Sequence, residues 1–462
     1  MHKPLILTAL CAALAGCSLA PEYQRPEPPV AAHWPESAPA EGTRRAAELD
    51  WHAFFPDARM QALIAAALEH NRDMRVAAAR VEEARALYGI ARADRLPNVD
   101  GVLSGASART PGELTTTGNR TTSHRYDVGL SVLSFELDFW GRVKSLNDAA
   151  LAGYLATEEA RRAFRLSLIA DVASAYLIGL ETEERTVLAR ETVRSRGETR
   201  TMIAHRRDVG LAGDLDYLQA DGAYEQAKAD LAALERQRAA AINALDLLVG
   251  TQPADLPMGA ALDGQGIVAD LAADLPSEVL LKRPDVLAAE QQLIAANANI
   301  GAARAAFLPR ITLTAGLGLA SGALSGLFDG GGAWSFQPAL RLPLFDAGRT
   351  GANVDLAEAR KVIAVAQYEK TIQQAFREVA DLLAARKYLV EQLQGQEAAQ
   401  KAQEQRLRLA EARYQAGISS YLEVLDAQRE TFSTQQATVA TRRAWLTSAA
   451  QLYKALGGGG QL

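Results

Sequence analysis

The chain contains the same pattern twice. Asn71-Arg72-Asp73 returns as Arg283-Pro284-Asp285, and Leu96-Pro97 returns as Leu308-Pro309, both 212 residues later. Gly141-Arg142 then returns as Gly348-Arg349, Val209-Gly210-Leu211 as Ala416-Gly417-Ile418, and Val249-Gly250 as Leu456-Gly457, all 207 residues later. The offset changes only between Pro97 and Gly141, which places the length difference in one loop region. A duplication of this period constrains the fold before any local motif is read. Each copy runs as a helical stretch, a Gly/Ser/Thr-rich alternating stretch, and a very long helical stretch with one Gly-centred break.

Proline placement sets the topology. None occurs between Pro111 and Pro253, and none after Pro343. Arg142 to Val209 and Arg349 to Ala416 therefore read as helices, each roughly 100 Å long at 1.5 Å per residue. A mean helix has about 11–12 residues. In the second copy Ile372, Phe376, Val379, Leu383, Val390 and Leu393 follow a heptad-like seam that Arg386 interrupts. Return helices are expected over 214–249 and 420–456. Preceding helical arms are expected over about 57–95 and 277–306, with Asp57, Ser277 and Glu278 as start signals.

Between the helices the period changes to two. Ile311, Leu313, Ala315, Leu317 and Leu319 alternate with polar or small residues, as do Trp334, Phe336, Leu340, Leu342 and Leu344. In the first copy Tyr126, Val128, Leu130 and Val132 alternate, and the phase then slips so that Phe135, Leu137 and Phe139 continue the apolar face. That slip predicts a β-bulge near Val132–Leu133, because a slip without one would reverse the faces. Strands of about ten residues with one apolar face and aromatic ends suit a transmembrane barrel. Phe139, Trp140, Phe307, Trp334 and Phe345 stand where interfacial girdles would be. Four strands cannot close around water, and open edges are not tolerated in lipid, so several chains must share the barrel. A trimer would supply twelve strands.

The first 17 residues read as a secretory signal, with His2 and Lys3 before an apolar run too short to span a bilayer. The run ends in Leu14-Ala15-Gly16-Cys17, which looks like a bacterial lipobox, with Cys17 as the acylated residue and Ser18 favouring the outer membrane. The other cysteine, Cys11, lies within the signal, so no intramolecular disulfide is expected in the mature chain. Residues 18–56 hold seven prolines and read as an extended strap. The domain plan is thus a signal over 1–17, a strap over 18–56 and a first repeat over 57–249 with a β-hairpin at about 98–139. An irregular connector over 250–276 follows, then a second repeat over 277–456 with a β-hairpin at about 309–345, and a tail over 457–462.

Taken in order and in duplicate, several loose motifs resemble the TolC-like outer membrane factor family, in its lipoprotein branch serving tripartite efflux pumps. They are the lipobox, Pro21-Glu22-Tyr23-Gln24-Arg25-Pro26, Trp51 to Phe55, Asn71 to Ala86, Phe139-Trp140-Gly141-Arg142, Arg283-Pro284-Asp285, Phe345-Asp346-Ala347-Gly348-Arg349, and Tyr414 to Arg429. The resemblance covers essentially the whole mature chain. It implies a mainly α fold with transmembrane β, in which a trimeric twelve-stranded β-barrel continues into a periplasmic α-helical barrel with an equatorial belt. It implies a homotrimer anchored in outer membrane lipid, docked to a periplasmic adaptor and an inner-membrane pump. It implies no cofactor beyond the covalent lipid on Cys17.

The same resemblance implies functional positions. Val209, Gly210 and Leu211, with Ala416, Gly417 and Ile418, match the adaptor-facing hairpin tips; the glycines also suit αL caps. Leu422, Glu423 and Asp426 match the constriction. Under three-fold symmetry they would form an apolar ring and two acidic rings, whose like charges should raise some carboxyl pKa values. Tyr414 matches a residue that hydrogen-bonds a carboxylate on the neighbouring hairpin, here Asp216. The chain departs from TolC at Ser419, where TolC carries a locking arginine, and Arg429 is the candidate substitute.

No catalytic constellation is legible. The six histidines are scattered without metal-ligand spacing, and no Walker loop or GxSxG elbow occurs. A formal net charge of −6 argues against nucleic-acid binding. The rival readings are a protein-secretion conduit of the same fold and a non-channel periplasmic coiled-coil lipoprotein. Two complete hairpins with apolar-out strands favour the channel over the spacer.

Overall fold

A computed structural model describes residues 18–35, 49–253, 255–267, 280–329 and 331–458. Cys17, Ser277, Glu278 and the end of the 250–276 connector lie outside the described residues. The elements follow the repeat. The first copy gives α1 (Trp51–Phe54), α2 (Ala58–His70), α3 (Arg72–Ala93), β1 (Val99–Thr110), β2 (Thr121–Glu136), α4 (Arg142–Asp208) and α5 (Asp214–Val249). The second gives α6 (Pro284–Ala305), β3 (Arg310–Ser321), β4 (Gly332–Arg341), α7 (Arg349–Gln415) and α8 (Tyr421–Ala455). Positive φ recurs at the expected offset: Gly141 with Gly348, Gly210 with Gly417 and Gly250 with Gly457. The two copies thus share their helix ends as well as their sequence.

Helix boundaries have local causes. Asp57 caps α2 by accepting the Met60 N–H. The arm expected as one helix over 57–95 breaks at Asn71, whose Oδ1 accepts the Met74 N–H and restarts the helix as α3. Pro284 opens α6, where a missing N–H costs nothing. Two long helices of 67 residues each form as the proline map requires.

The described residues fall into two compact units, and each draws on both repeats. One takes its residues from Met1–Glu27, Arg80–Glu158 and Ala288–Glu369. It holds an antiparallel sheet in the order β1-β2-β3-β4. The register places Leu130 opposite Leu317 and Leu317 opposite Trp334, while Ser131 pairs with Gly316 and Gly316 with Ser335. One face is therefore apolar and the other small or polar. The apolar face is open, with Trp334 78% and Leu317 69% exposed. The bulge occurs where the phase slips: pairing jumps from Val132–Ala315 to Phe135–Leu313, and Ser134 takes φ 53. Strand β4 stops at Arg341, so the alternation expected through Leu344 ends early, before Pro343.

In the same unit the Pro-rich strap lies on α6. Arg25 makes two hydrogen bonds to the buried Glu290, at 2.6 and 2.7 Å, and the Tyr23 hydroxyl donates to it at 3.0 Å. Asn297 donates to the Pro21 carbonyl at 2.7 Å. A Cβ at Gly301 would stand 2.6 Å from the Ala20 nitrogen, so only glycine admits the strap there.

The second unit takes its residues from Pro28–Ala79, Glu159–Leu287 and Lys370–Leu462. Its main core joins Trp51, Phe54, Phe55, Met60 and Ile64 to Ile169, Val172 and Leu177 of α4 and to Ala450 and Tyr453 of α8. Leu262 and Ile267 of the connector close this core. By length and composition α4 could cross a bilayer, yet Ile169, Val172 and Leu177 are fully buried within the protein. The α7 seam is buried at Ile372 and Val379 but opens by Val390, which is exposed. Arg283 is buried, pairs with Asp285 and Glu378 and donates to the Ala455 carbonyl at 2.9 Å. Arg283→Ala is expected to cost about 2 kcal/mol, because a buried carbonyl loses a charged donor. Thermal unfolding of the purified protein against wild type measures it.

Candidate functional site: the hairpin tips and the constriction

The ends of the hairpins belong to the second unit. At each tip the long helix closes in a Schellman motif. In the first, Gly210 N–H bonds the Arg207 carbonyl and Leu211 N–H the Arg206 carbonyl; in the second, Gly417 bonds Tyr414 and Ile418 bonds Arg413. Gly210 and Gly417 have φ of 77 and 73, where a Cβ would be strained. Val209, Leu211 and Ile418 project outward, each about 69–70% exposed. Apolar side chains held outward at both tips form a surface suited to a partner.

Behind the tips Ile203 of α4, Ala220 of α5, Ala410 of α7 and Tyr421, Val424 and Ala427 of α8 form a small core. Alanines from α5, α7 and α8 let the backbones approach. This core presents the first turns of α8, and with them the predicted constriction. Leu422 is 57% exposed, as an apolar closure would need.

The acidic positions are not bare. Asp426 accepts from Arg406 at 2.6 Å and from Arg429 at 2.7 Å. Glu423 lies 3.8 Å from Arg413. The hydrogen bond from Arg406 is the main reason the Asp426 carboxyl sits below its ordinary pKa. Within the protomer the shift is downward, because cations from α7 and α8 reach Asp426; an upward shift from like charges on neighbouring copies would have to overcome them.

The expected Tyr414–Asp216 bond is also not made. Asp216 instead accepts the Gly213 N–H at the start of its own helix, where the helix dipole favours a carboxylate. Tyr414 lies 5.7 Å from the Tyr421 ring and carries the Arg206 guanidinium 5.3 Å above its face. Arg206 is on the first hairpin and Tyr414 on the second, so a cation–π contact joins them. Arg429, the candidate second lock, binds Asp426 and Glu430 of its own helix and makes no ion pair with the first hairpin. The Ser419 hydroxyl is buried without a hydrogen-bond partner.

Arg406, Arg413 and Arg206 went unnoticed in the sequence. Their signal was available: Arg406 and Asp426 stand at similar distances on either side of Gly417, as antiparallel neighbours in a hairpin must. The first hairpin pairs Arg200 with Asp221 around Gly210 in the same way, at 2.5 Å. Among the described residues no cluster of His, Cys, Asp and Glu could hold a metal.

A family model described as outer membrane efflux protein matches residues 63–251 and 275–458, which are the two repeats. The chain belongs to this family. It is 47% identical to the toluene efflux pump outer membrane protein TtgF of Pseudomonas putida, over 99% of this chain and 97% of that one. It is 45% identical to the outer membrane protein OprJ of Pseudomonas aeruginosa, over 99% and 97%. The open state of the Neisseria gonorrhoeae MtrE outer membrane channel superposes with a TM-score of 0.87 at 40% identity, covering 96% of this chain and 99% of that one. The fold is that of the TolC-like outer membrane channels, and this outer membrane efflux protein is a channel component of an efflux pump.

Proposed function

We propose that three copies assemble into a passive conduit through the outer membrane and periplasm, anchored by acyl chains on Cys17 and opened by its partners. The open sheet carries this reading. Strands β1 and β4 each pair on one side only within the sheet, and the apolar face is bare. Unpaired edges are tolerated in lipid only if another chain completes them, and three copies supply twelve strands. The alternating polar face would then line the lumen.

The paired apolar tips around Gly210 and Gly417 support docking of a periplasmic adaptor, which would link the conduit to an inner-membrane pump. Leu422, Glu423 and Asp426 would form the constriction. No energy-coupling or catalytic group enters this reading, and no cofactor beyond the lipid is proposed. A relative named for toluene efflux supports small, largely apolar cargo.

The test is the mass of the lipidated protein in detergent together with its conductance in a planar bilayer. A trimer with a small resting conductance is expected. A monomer that never conducts would leave a periplasmic helical lipoprotein instead.

A further inference from the structure

A cavity of about 470 Å³ lies between α5 and α8, just behind the constriction residues. Leu218, Leu422, Leu425 and Phe432 give it apolar walls, and Arg196 lines it from α4. Arg196 is only 7% exposed. One Nη donates to the Ala223 carbonyl at 2.9 Å, and Nε has no hydrogen-bond partner. No carboxylate among the described residues forms an ion pair with it. Asp426, which also borders the cavity, is already held by Arg406 and Arg429. Asp230 of α5 also borders the cavity but acts on Arg196 only at longer range, so the buried guanidinium has no ion-paired carboxylate; burial is the main cause that lowers its pKa.

The duplication supplies an internal comparison. At the offset of 207, the second repeat has Gln403 where the first has Arg196, and Arg429 where the first has Gly222. Packing of this hairpin therefore does not demand a buried cation. Nor does it demand the gap at Gly222, where an added Cβ would meet nothing within 4 Å. The first repeat has both a charge and the room beside it.

We propose that this cavity is a binding site for a small amphipathic carboxylate, with the carboxylate on the Arg196 guanidinium and an apolar body against Leu218, Leu425 and Phe432. Guanidinium geometry matches a carboxylate bidentately, and the volume suits a molecule of two fused rings. Because Leu422 and Asp426 share the cavity, occupancy would bias the constriction. That second effect rests on the channel reading, whereas binding does not.

The probe is 1-naphthoate, titrated calorimetrically into the full lipidated protein in lipid nanodiscs, with neutral 1-naphthalenemethanol as comparison. Saturable binding of the acid and not the alcohol is expected. Arg196→Gln should weaken it on the order of ten- to a hundredfold, the loss of a charged hydrogen bond. Gly222→Leu should abolish it by filling the space while improving helix propensity, so it remains informative if Arg196→Gln misfolds. Equal binding of acid and alcohol, no saturable binding, or unchanged affinity in Gly222→Leu would each overturn the site. A naphthoate-dependent change in conductance, absent in Gly222→Leu, would support the bias on the constriction. Binding without that change would remove the bias and keep the site.

Discussion

Gly129→Val and Gly318→Val should each abolish the stable assembly and its conductance. The two glycines face each other where β2 of the first repeat pairs with β3 of the second. A Cβ on Gly129 would lie 2.4 Å from the Leu317 carbonyl oxygen, and one on Gly318 would lie 2.2 Å from that of Val128. Both obstacles are backbone, so no rotamer change relieves them. The strands must separate, and this is the one pairing that joins the two repeats into a single sheet. The penalty exceeds the ~1–3 kcal/mol of ordinary core overpacking, because ladder hydrogen bonds break as well. Gly101→Val is the control. It lies on the apolar face of β1, opposite Leu130, with nothing within 4 Å of an added Cβ. Native mass and single-channel recording on the three variants decide the matter. A conducting oligomer of Gly129→Val would mean that the close β2–β3 approach is dispensable.

Most of this sheet was legible in advance because period-two patterning, a phase slip and strand length are local signals. The bulge at Ser134 follows from the apolar positions of Val132 and Phe135 alone. The long helices were equally legible, since proline is the strongest local veto on a helix. The break at Asn71 was not, because an Asn that restarts a helix looks like any polar helical residue. The constriction was legible only in part. The position assigned to it came from the resemblance to the outer membrane factors, and its electrostatics depended on which side chains an antiparallel hairpin brings together. Glu423 and Asp426 looked like bare carboxylates because Arg413 and Arg406 precede them by ten and twenty residues. Tyr414 went to Arg206 and Tyr421 because Asp216 was already engaged in capping its own helix.

Those pairings change what acid should do to the constriction. The Asp426 carboxyl sits below its ordinary value of 3.8, held there first by the hydrogen bond from Arg406. A group whose pKa is depressed in the folded state stabilises that state above its unfolded pKa, and the contribution is lost as pH falls through the lower folded value. Between pH 7 and 5 the Arg406–Asp426–Arg429 cluster should therefore stay intact, and resting conductance should be flat. A bare ring of mutually repelling carboxylates predicts the opposite, with protonation beginning at higher pH and conductance drifting as it does. Mutation should succeed where acid does not. Leu422→Ala removes the apolar closure, and Asp426→Ala releases two arginines from the turn that presents it, so the double variant should conduct several-fold more than wild type at pH 7. Bilayer recording of both proteins across this pH range tests the two parts together. A wild-type conductance that climbs by pH 5 would mean that repulsion between copies outweighs the arginine pairs. An unchanged conductance in an intact double variant would place the constriction elsewhere along the hairpins.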